Sequence, residues 1–288
     1  MKFPWHKYVE IPAPRKNTLQ IFITSKCNLN CEGCFVKPIM KENIQDISIP
    51  EYFQAINDFQ KKEGKQINLL GGEPFLHPQL KKILEINAKA DIKTTIYTNG
   101  YFIDKINEND LFGAKLRVSL YCKNGKVKSA ESLPKTKVPL DICFMISKKT
   151  SLEELLESAD QIEKNYNCKT FFISSIRELD NPKKEFFDDT ALTMNLIDYK
   201  KLCIGFLDNY RGKMDIHISK RGVFESTKFP AGNKCKFANY FPGGKIIQCP
   251  YDIINKKFQK DYEFEERFCQ HNNSCLMSKV VYRKKIIS

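Results

Sequence analysis

Three cysteines in C-x3-C-x2-C spacing are the most informative reactive side chains of this sequence: Cys27, Cys31 and Cys34. Three thiolates in this spacing can hold three corners of a [4Fe-4S] cluster and leave the fourth iron open. A structural zinc site normally needs a fourth ligand nearby. The next cysteine is Cys122 and the nearest downstream histidine is His77, both far along the chain. The spacing therefore favours an iron-sulfur cluster with one open coordination site.

The segments that must position these cysteines follow a recognisable order. The run from 18 to 24, TLQIFIT, predicts a strand that leads into the cysteines. Predicted strands at 65–70 and 94–98 run into Gly71-Gly72-Glu73-Pro74 and Asn99-Gly100, and Ser119 lies within the strand LRVSLY. Together with the cysteines, these segments resemble, in order, the signature of radical S-adenosylmethionine (SAM) enzymes.

This resemblance implies cofactors and a role for each matching residue. SAM would chelate the open iron of the cluster through its amino and carboxylate groups, and Glu73 would receive the SAM ammonium. Reductive cleavage of SAM in this family gives a 5'-deoxyadenosyl radical that abstracts a hydrogen atom. The cofactor-binding residues expected on this basis are Phe35, Gly71, Gly72, Glu73, Thr98, Asn99 and Ser119.

One position departs from the family pattern. The family often carries an aromatic residue just before the third cysteine, where it helps to hold the adenine, and this chain has Gly33 there. Phe35, directly after the cysteines, either substitutes for that residue or anchors the core.

A second group of cysteines lies near the C-terminus: Cys235, Cys249, Cys269 and Cys275. Between the first two, residues 238–248 predict a β-hairpin around Pro242-Gly243-Gly244. The G-x4-C unit at 244–249 and its flanking cysteines resemble the twitch domain, a shortened relative of the SPASM domain. That resemblance implies an auxiliary [4Fe-4S] cluster held by the four cysteines. Structural zinc is the alternative, because tetrahedral thiolate sites suit either metal, and His271 is an alternative ligand.

Of the remaining cysteines, Cys122 is the candidate for chemistry. It follows Ser119 and Tyr121 at a strand end that should face the radical site, where a thiol can return a hydrogen atom to a substrate radical. Its alternative role is inert packing. Cys143 and Cys203 lie in an apolar strand and an apolar helix and are predicted to be small core residues.

The secondary-structure pattern alternates strand and helix. Helices are predicted at 50–62, 78–90, 104–112, 127–133, 151–166 and 191–210, and further strands at 140–146 and 169–176. Six βα units predict an α/β fold with a parallel sheet, and the resemblance implies an open (β/α)6 partial TIM barrel with its site at the carboxyl ends of the strands. We expect an N-terminal extension over 1–17, the partial barrel over 18–212, and a small cluster-binding domain with the β-hairpin over 213–288.

The composition bears on which partners this protein binds. The net charge of +13 comes from forty lysines and only seven arginines. Because arginine is the residue that reads bases, a solvated lysine-rich surface is favoured over contact with a nucleic acid, which stays the lesser alternative. No apolar run reaches membrane-spanning length and the N-terminus lacks a signal-peptide core, which predicts a cytoplasmic protein with no membrane partner.

The sequence thus predicts a radical SAM enzyme that oxidatively modifies a peptide or a small polar metabolite, supplied with electrons by a donor such as flavodoxin or ferredoxin. The alternatives are modification of tRNA or another nucleic acid, installation of a glycyl radical on a partner protein, and a non-catalytic iron-sulfur or zinc module. Arg177, Tyr121, Tyr97 and Asn195 are candidates for lining the substrate site.

Overall fold

A computed structural model describes residues 8–11, 18–31, 34, 36–37, 45–121, 133–176, 192–219, 234–235, 238–247, 267–268 and 279–282. Its strands are β1 (Tyr8–Ile11), β2 (Thr18–Thr24), β3 (Gln66–Gly71), β4 (Lys93–Thr98), β5 (Lys115–Tyr121), β6 (Leu140–Ile146), β7 (Cys168–Ser175), β8 (Asp215–Ser219), β9 (Lys234–Cys235), β10 (Ala238–Phe241), β11 (Lys245–Ile247), β12 (Arg267–Phe268) and β13 (Lys279–Tyr282). Its α-helices of ten or more residues are α1 (Ile49–Lys61), α2 (Leu80–Lys89), α3 (Leu152–Asn165) and α4 (Leu196–Asn209).

One large sheet organises the chain, in the order β1-β13-β8-β7-β6-β5-β4-β3-β2-β10-β11. Strands β2 to β8 run parallel, each paired with the next. Parallel neighbours need crossover connections, and α1, α2, α3 and α4 occupy four of them. The predicted α/β fold with an open parallel sheet, a partial barrel, is confirmed.

Side-chain capping fixes where the helices begin. Ser48 accepts a hydrogen bond from the Glu51 amide at 3.3 Å, and Ser151 accepts one from the Glu154 amide at 3.1 Å. Helix α1 then buries Tyr52, Ala55, Ile56 and Phe59, which recur on one helical face against the sheet. Both helices match their predicted positions.

Two helix predictions differ from the structure, and a third is not tested by it. The helix predicted at 104–112 is replaced by two short 3-10 helices, Ile103–Lys105 and Glu108–Leu111, since Asn107 caps the second with its side chain and interrupts any continuous helix. Helix α4 begins at Leu196, because the Asn195 side chain accepts from the Asp198 amide at 2.9 Å and forms the N-cap there. The helix predicted at 127–133 lies almost wholly outside the described residues.

The two faces of the sheet have different environments. Along β5 and β6, Leu116, Val118, Leu120, Ile142 and Phe144 are buried in the core between sheet and helices. The residues that alternate with them on the opposite face, the interior of the partial barrel, are only partly buried. The interior at β5 and β6 is therefore not filled by packing.

The segment after residue 213 extends both edges of this sheet. Strand β8 pairs with β7, β13 pairs with β8, and the hairpin of β10 and β11 joins at β2. The Phe241 ring stacks on Phe22 of β2 with centroids 4.3 Å apart. The hairpin turn, with Gly243 and Gly244 at positive φ, donates two amides to the Glu51 carboxylate at 2.7 and 3.0 Å. The predicted hairpin is confirmed, while the division into domains stays a prediction.

None of the described helices has the length and apolar character needed to cross a bilayer.

Candidate functional site

The loop that carries the first cysteines is fixed where it leaves β2. Thr24 donates its hydroxyl to Asp46 at 2.6 Å and accepts from the Lys26 amide at 3.1 Å. The Lys26 ammonium forms an ion pair with the same Asp46 carboxylate, also at 2.6 Å. The first turn of the loop is thereby tied to the segment that precedes α1.

The three thiols of this loop influence one another electrostatically. Cys27 is exposed, and Cys31 and Cys34 are half-buried. Burial, and then the negative charges of the Cys34 and Cys27 thiolates, raise the pKa of Cys31 to about 11. The Leu29 amide donates to Cys27 Sγ at 3.4 Å.

This set of donors fits an iron-sulfur cluster. Thiolates that repel one another are brought to the anionic form by a cationic centre, and binding then releases their protons. Within the described ranges, no group of three or more His, Cys, Asp or Glu side chains, these three cysteines included, is already arranged around a metal position.

The glycine pair at the end of β3, Gly71 and Gly72, lies directly against the cysteine loop. Gly72 donates its amide to the Thr24 carbonyl at 2.9 Å, and the Glu73 amide donates to the Lys26 carbonyl at 2.8 Å. A Cβ atom on Gly72 would overlap the Lys26 carbonyl oxygen and lie 2.7 Å from Cys27 Cβ. Only glycine allows the two backbones to come this close.

Glu73 joins the loops that follow β3 and β4. It is fully buried, and its carboxylate accepts from the Thr98 hydroxyl and the Asn99 amide, each at 2.7 Å, and from the Phe75 amide at 3.2 Å. Three donors satisfy the buried charge. The expected contact between Glu73 and the SAM ammonium stays a prediction.

Asn99 closes the connection back to the cysteine loop. Its Nδ2 donates to Asn28 Oδ1 at 2.8 Å, between Cys27 and Cys31 in sequence, while its Oδ1 accepts from the Tyr101 amide at 3.0 Å. Gly100 adopts a positive φ of 78° in this turn. The structure thus brings Gly71, Gly72, Glu73, Thr98 and Asn99 together with the cysteine loop at the carboxyl ends of the parallel strands.

Ser119 lies one strand further along, on the interior face of β5. Tyr121 shares this face, where its side chain lowers the pKa of the neighbouring Cys31 thiol, and Arg117 lies on it two residues before Ser119. Sequence reasoning missed Arg117, although alternation in LRVSLY places it on the face of Ser119. The prediction that Cys143 is a core residue is wrong, since it is half-buried beside Ser119 on the interior face of β6. Cys203 is fully buried as predicted.

Two other side chains considered from sequence have structural roles. His77 is buried, with Nε2 3.0 Å from the Ile47 carbonyl and Nδ1 accepting from the Gln79 amide at 3.1 Å, so both ring nitrogens are bound to the backbone. Asn195 caps α4.

Several predicted residues lie outside the described residues: Phe35, Cys122, Arg177, Cys249, Cys269 and Cys275. Cys235 lies in β9, where its backbone pairs with Arg267 of β12. Cys269 follows the end of that strand by one residue in the sequence.

Comparison with known proteins shows which family shares this arrangement. Residues 21–123 match the model of the Radical SAM superfamily. The GTP 3',8-cyclase of Synechocystis sp. is 30% identical over 40% of this chain and 36% of its own length. The GTP 3',8-cyclase of Campylobacter lari is 26% identical over 69% of this chain and 58% of its own length. The chain thus spans between about a third and three fifths of these relatives.

Solved structures share the fold at lower sequence identity. Streptococcus suis SuiB bound to the precursor peptide SuiA has a TM-score of 0.62 and 18% identity, covering 91% of this chain and 64% of SuiB. Native anSMEcpe with bound AdoMet and Cp18Cys peptide has a TM-score of 0.55 and 16% identity, covering 81% of this chain and 74% of that one. The matched residues contain Cys27, Cys31 and Cys34 and the loops that contact them, and this part of the chain, residues 21–123, belongs to the radical SAM superfamily.

Proposed function

We propose that this enzyme uses SAM to abstract a hydrogen atom from a peptide or a small polar metabolite and so modifies it oxidatively. The observation that carries the proposal is that the loop bearing the three thiols contacts the glycine pair and Asn99 at the carboxyl ends of parallel strands. The family implies a [4Fe-4S] cluster and SAM, and Cys27, Cys31 and Cys34 would hold the cluster. When bound together, the cluster and SAM would supply a 5'-deoxyadenosyl radical, formed by one-electron reduction of SAM.

The residues around the thiols position the cofactors. The glycine pair keeps the backbone of the loop after β3 against the cysteine loop that would hold the cluster. Glu73 holds the turn at Thr98 and Asn99, and Asn99 in turn holds Asn28 inside the cysteine loop. The half-buried interior face of β5 and β6 is the surface on which a substrate C–H bond would lie within reach of this edge.

Two lines of similarity support the two substrate classes. The structures of SuiB and anSMEcpe contain peptides, which favours a peptide for this chain. The GTP 3',8-cyclases are named for a nucleotide, which favours a small polar metabolite. We favour the peptide because the structural similarity extends over most of this chain. A reduced flavodoxin or ferredoxin would supply the electron.

The proposal includes an auxiliary [4Fe-4S] cluster held by Cys235, Cys249, Cys269 and Cys275, with zinc as the alternative. Such a cluster would accept the electron left on the substrate radical, which makes the overall reaction an oxidation. Metal analysis of a variant with Cys27, Cys31 and Cys34 replaced by Ala tests it. Four irons per chain with a [4Fe-4S] EPR signal are expected after reduction, and zinc in place of iron would contradict the oxidative version.

The SAM chemistry is tested by anaerobic reconstitution followed by SAM and dithionite. We expect 5'-deoxyadenosine from the wild-type enzyme and none from Cys31→Ala. Cys203→Ala is the matched control, because Cys203 is a buried thiol in α4 away from the cysteine loop, and it should retain the activity. Absence of 5'-deoxyadenosine from fully reconstituted wild type would refute the proposal.

A further inference from the structure

A partly buried arginine lies on the interior face of the sheet, next to the proposed SAM site. Arg117 of β5 pairs in register with Tyr97 of β4 on one side and Asp141 of β6 on the other. The side chains of Arg117 and Asp141 are 18% and 23% exposed, so water reaches this row. The surface is open to a ligand of suitable charge.

The protein groups around Arg117 leave part of its hydrogen-bonding capacity unused. Nη1 donates to the Tyr97 hydroxyl at 2.9 Å, and the guanidinium lies 5.3 Å from the centroid of the Tyr97 ring. Nη2 is 3.5 Å from Asp141 Oδ2, at the outer limit of a hydrogen bond. The Nε atom is buried and has no hydrogen-bond partner among the described residues.

The charge of Arg117 persists despite burial. Burial alone would lower the pKa of Arg117, but Tyr97, Cys143 and Asp141 together raise it above its ordinary value. Guanidinium groups bind carboxylates and phosphates through two parallel hydrogen bonds, and the single long contact to Asp141 does not have that geometry. A second anion could accept the two parallel hydrogen bonds that Asp141 does not.

The neighbours of Arg117 connect it to the cysteine loop. Tyr97 and Cys34 both pack against a small apolar cluster formed by Phe22, Val36, Leu70, Phe241 and Ile247. Ser119, two residues after Arg117 on the same face, pairs in register with Cys143. A ligand held at Arg117 would therefore have an apolar wall on one side and the cofactor-binding edge of the sheet nearby.

We propose that Arg117, supported by the Tyr97 hydroxyl, binds an oxyanion of the substrate, either a carboxylate or a phosphate group. Asp141 acts as a positioning residue that orients the guanidinium through Nη2. The identification of this oxyanion as part of the substrate rests on the proposed function. The anion site itself does not, because its binding can be measured without turnover.

Thermal unfolding of the anaerobically reconstituted enzyme tests the site, with sodium acetate and inorganic phosphate as probes. Sodium chloride keeps the ionic strength constant, so only specific binding changes the midpoint. We expect a midpoint increase of about 2–4 °C for wild type at saturating probe. Arg117→Gln should show no increase, and Arg117→Lys, which keeps the charge but loses the fork, a smaller one.

The matched control is Arg211→Gln, because Arg211 is an exposed arginine that donates to main-chain carbonyls. It should respond like wild type. A larger response to acetate assigns the site to a carboxylate, as in a peptide, and a larger response to phosphate assigns it to a phosphorylated metabolite.

Three results would overturn the proposal: no wild-type response beyond chloride, an equal response in Arg117→Gln, or loss of the response when SAM is saturating. The last would assign the site to the SAM carboxylate. Formation of 5'-deoxyadenosine is measured separately on the same samples. A failure of the proposed function therefore appears in that assay, while a failure of the anion site appears in the unfolding midpoints.

Discussion

Replacement of Gly72 by alanine should displace the cysteine loop and reduce iron binding. The added Cβ would overlap the Lys26 carbonyl oxygen and lie 2.7 Å from Cys27 Cβ, where ordinary contact begins at 3.4 Å. Cys27 Cβ must then retreat by roughly 0.7 Å, the difference between these distances, whereas thiolate–metal distances tolerate about 0.2 Å. Because backbone atoms form most of this contact, we expect a loss of about 3 kcal/mol, the upper end for overpacking.

The assay is iron content per chain after anaerobic reconstitution, together with the thermal midpoint. We expect Gly72→Ala to bind less than half of the wild-type iron and to unfold about 6–12 °C lower. Gly205→Ala is the control. Its Cβ would meet the Leu152 side chain, nearest at Cδ2, 3.1 Å away, which is the far end of a flexible side chain. Alanine also favours the helix by about 1 kcal/mol.

Wild-type iron content and an unchanged midpoint in Gly72→Ala would refute this reasoning. Such a result would mean that the close approach of the two backbones does not position Cys27.

Three further predictions concern the supports of the site. Glu73→Gln replaces an oxygen that accepts hydrogen bonds by an amide group that donates them. We expect the free energy of unfolding, measured by urea titration, to fall by about 1–3 kcal/mol. Thr98→Val removes only one of the three donors to Glu73, so its free energy of unfolding should fall by less. Phe241→Ala removes the ring that stacks on Phe22 and should cost about 3–5 kcal/mol; an unchanged midpoint would show that the hairpin does not stabilise β2. Burial lowers the pKa of His77 below its ordinary value of 6.5, so the neutral ring contributes stability above that pH that is lost as the pH falls through the folded-state pKa. The difference in thermal unfolding midpoint between wild type and His77→Asn should therefore become smaller from pH 7 to pH 5. A constant difference would contradict the conclusion that the neutral His77 ring stabilises the fold.

Local signals in the sequence were sufficient for most of the sheet and helices. Alternating or continuous apolar runs identified the parallel strands from β2 to β7, and Ser48 and Ser151 marked helix starts because a capping side chain acts over only three residues. Local signals gave a wrong prediction at 104–112. The apolar residues there have helical spacing, but the Asn107 side chain caps a short 3-10 helix within the segment and prevents one continuous helix. The spacing of Cys27, Cys31 and Cys34 was likewise a local signal.

The tertiary structure alone decided which side chains share the site. The Glu73 carboxylate binds donors 25 and 26 residues later, and Asn99 binds Asn28 across 71 residues, contacts that no local pattern encodes. Strand register placed Arg117 between Tyr97 and Asp141 and moved Cys143 from the predicted core to the interior face. Side chains alternate with a period of two, so sequence fixes which residues share a face of one strand. Which face meets the helices, and which strands become neighbours, depends on how the whole sheet buries its apolar side.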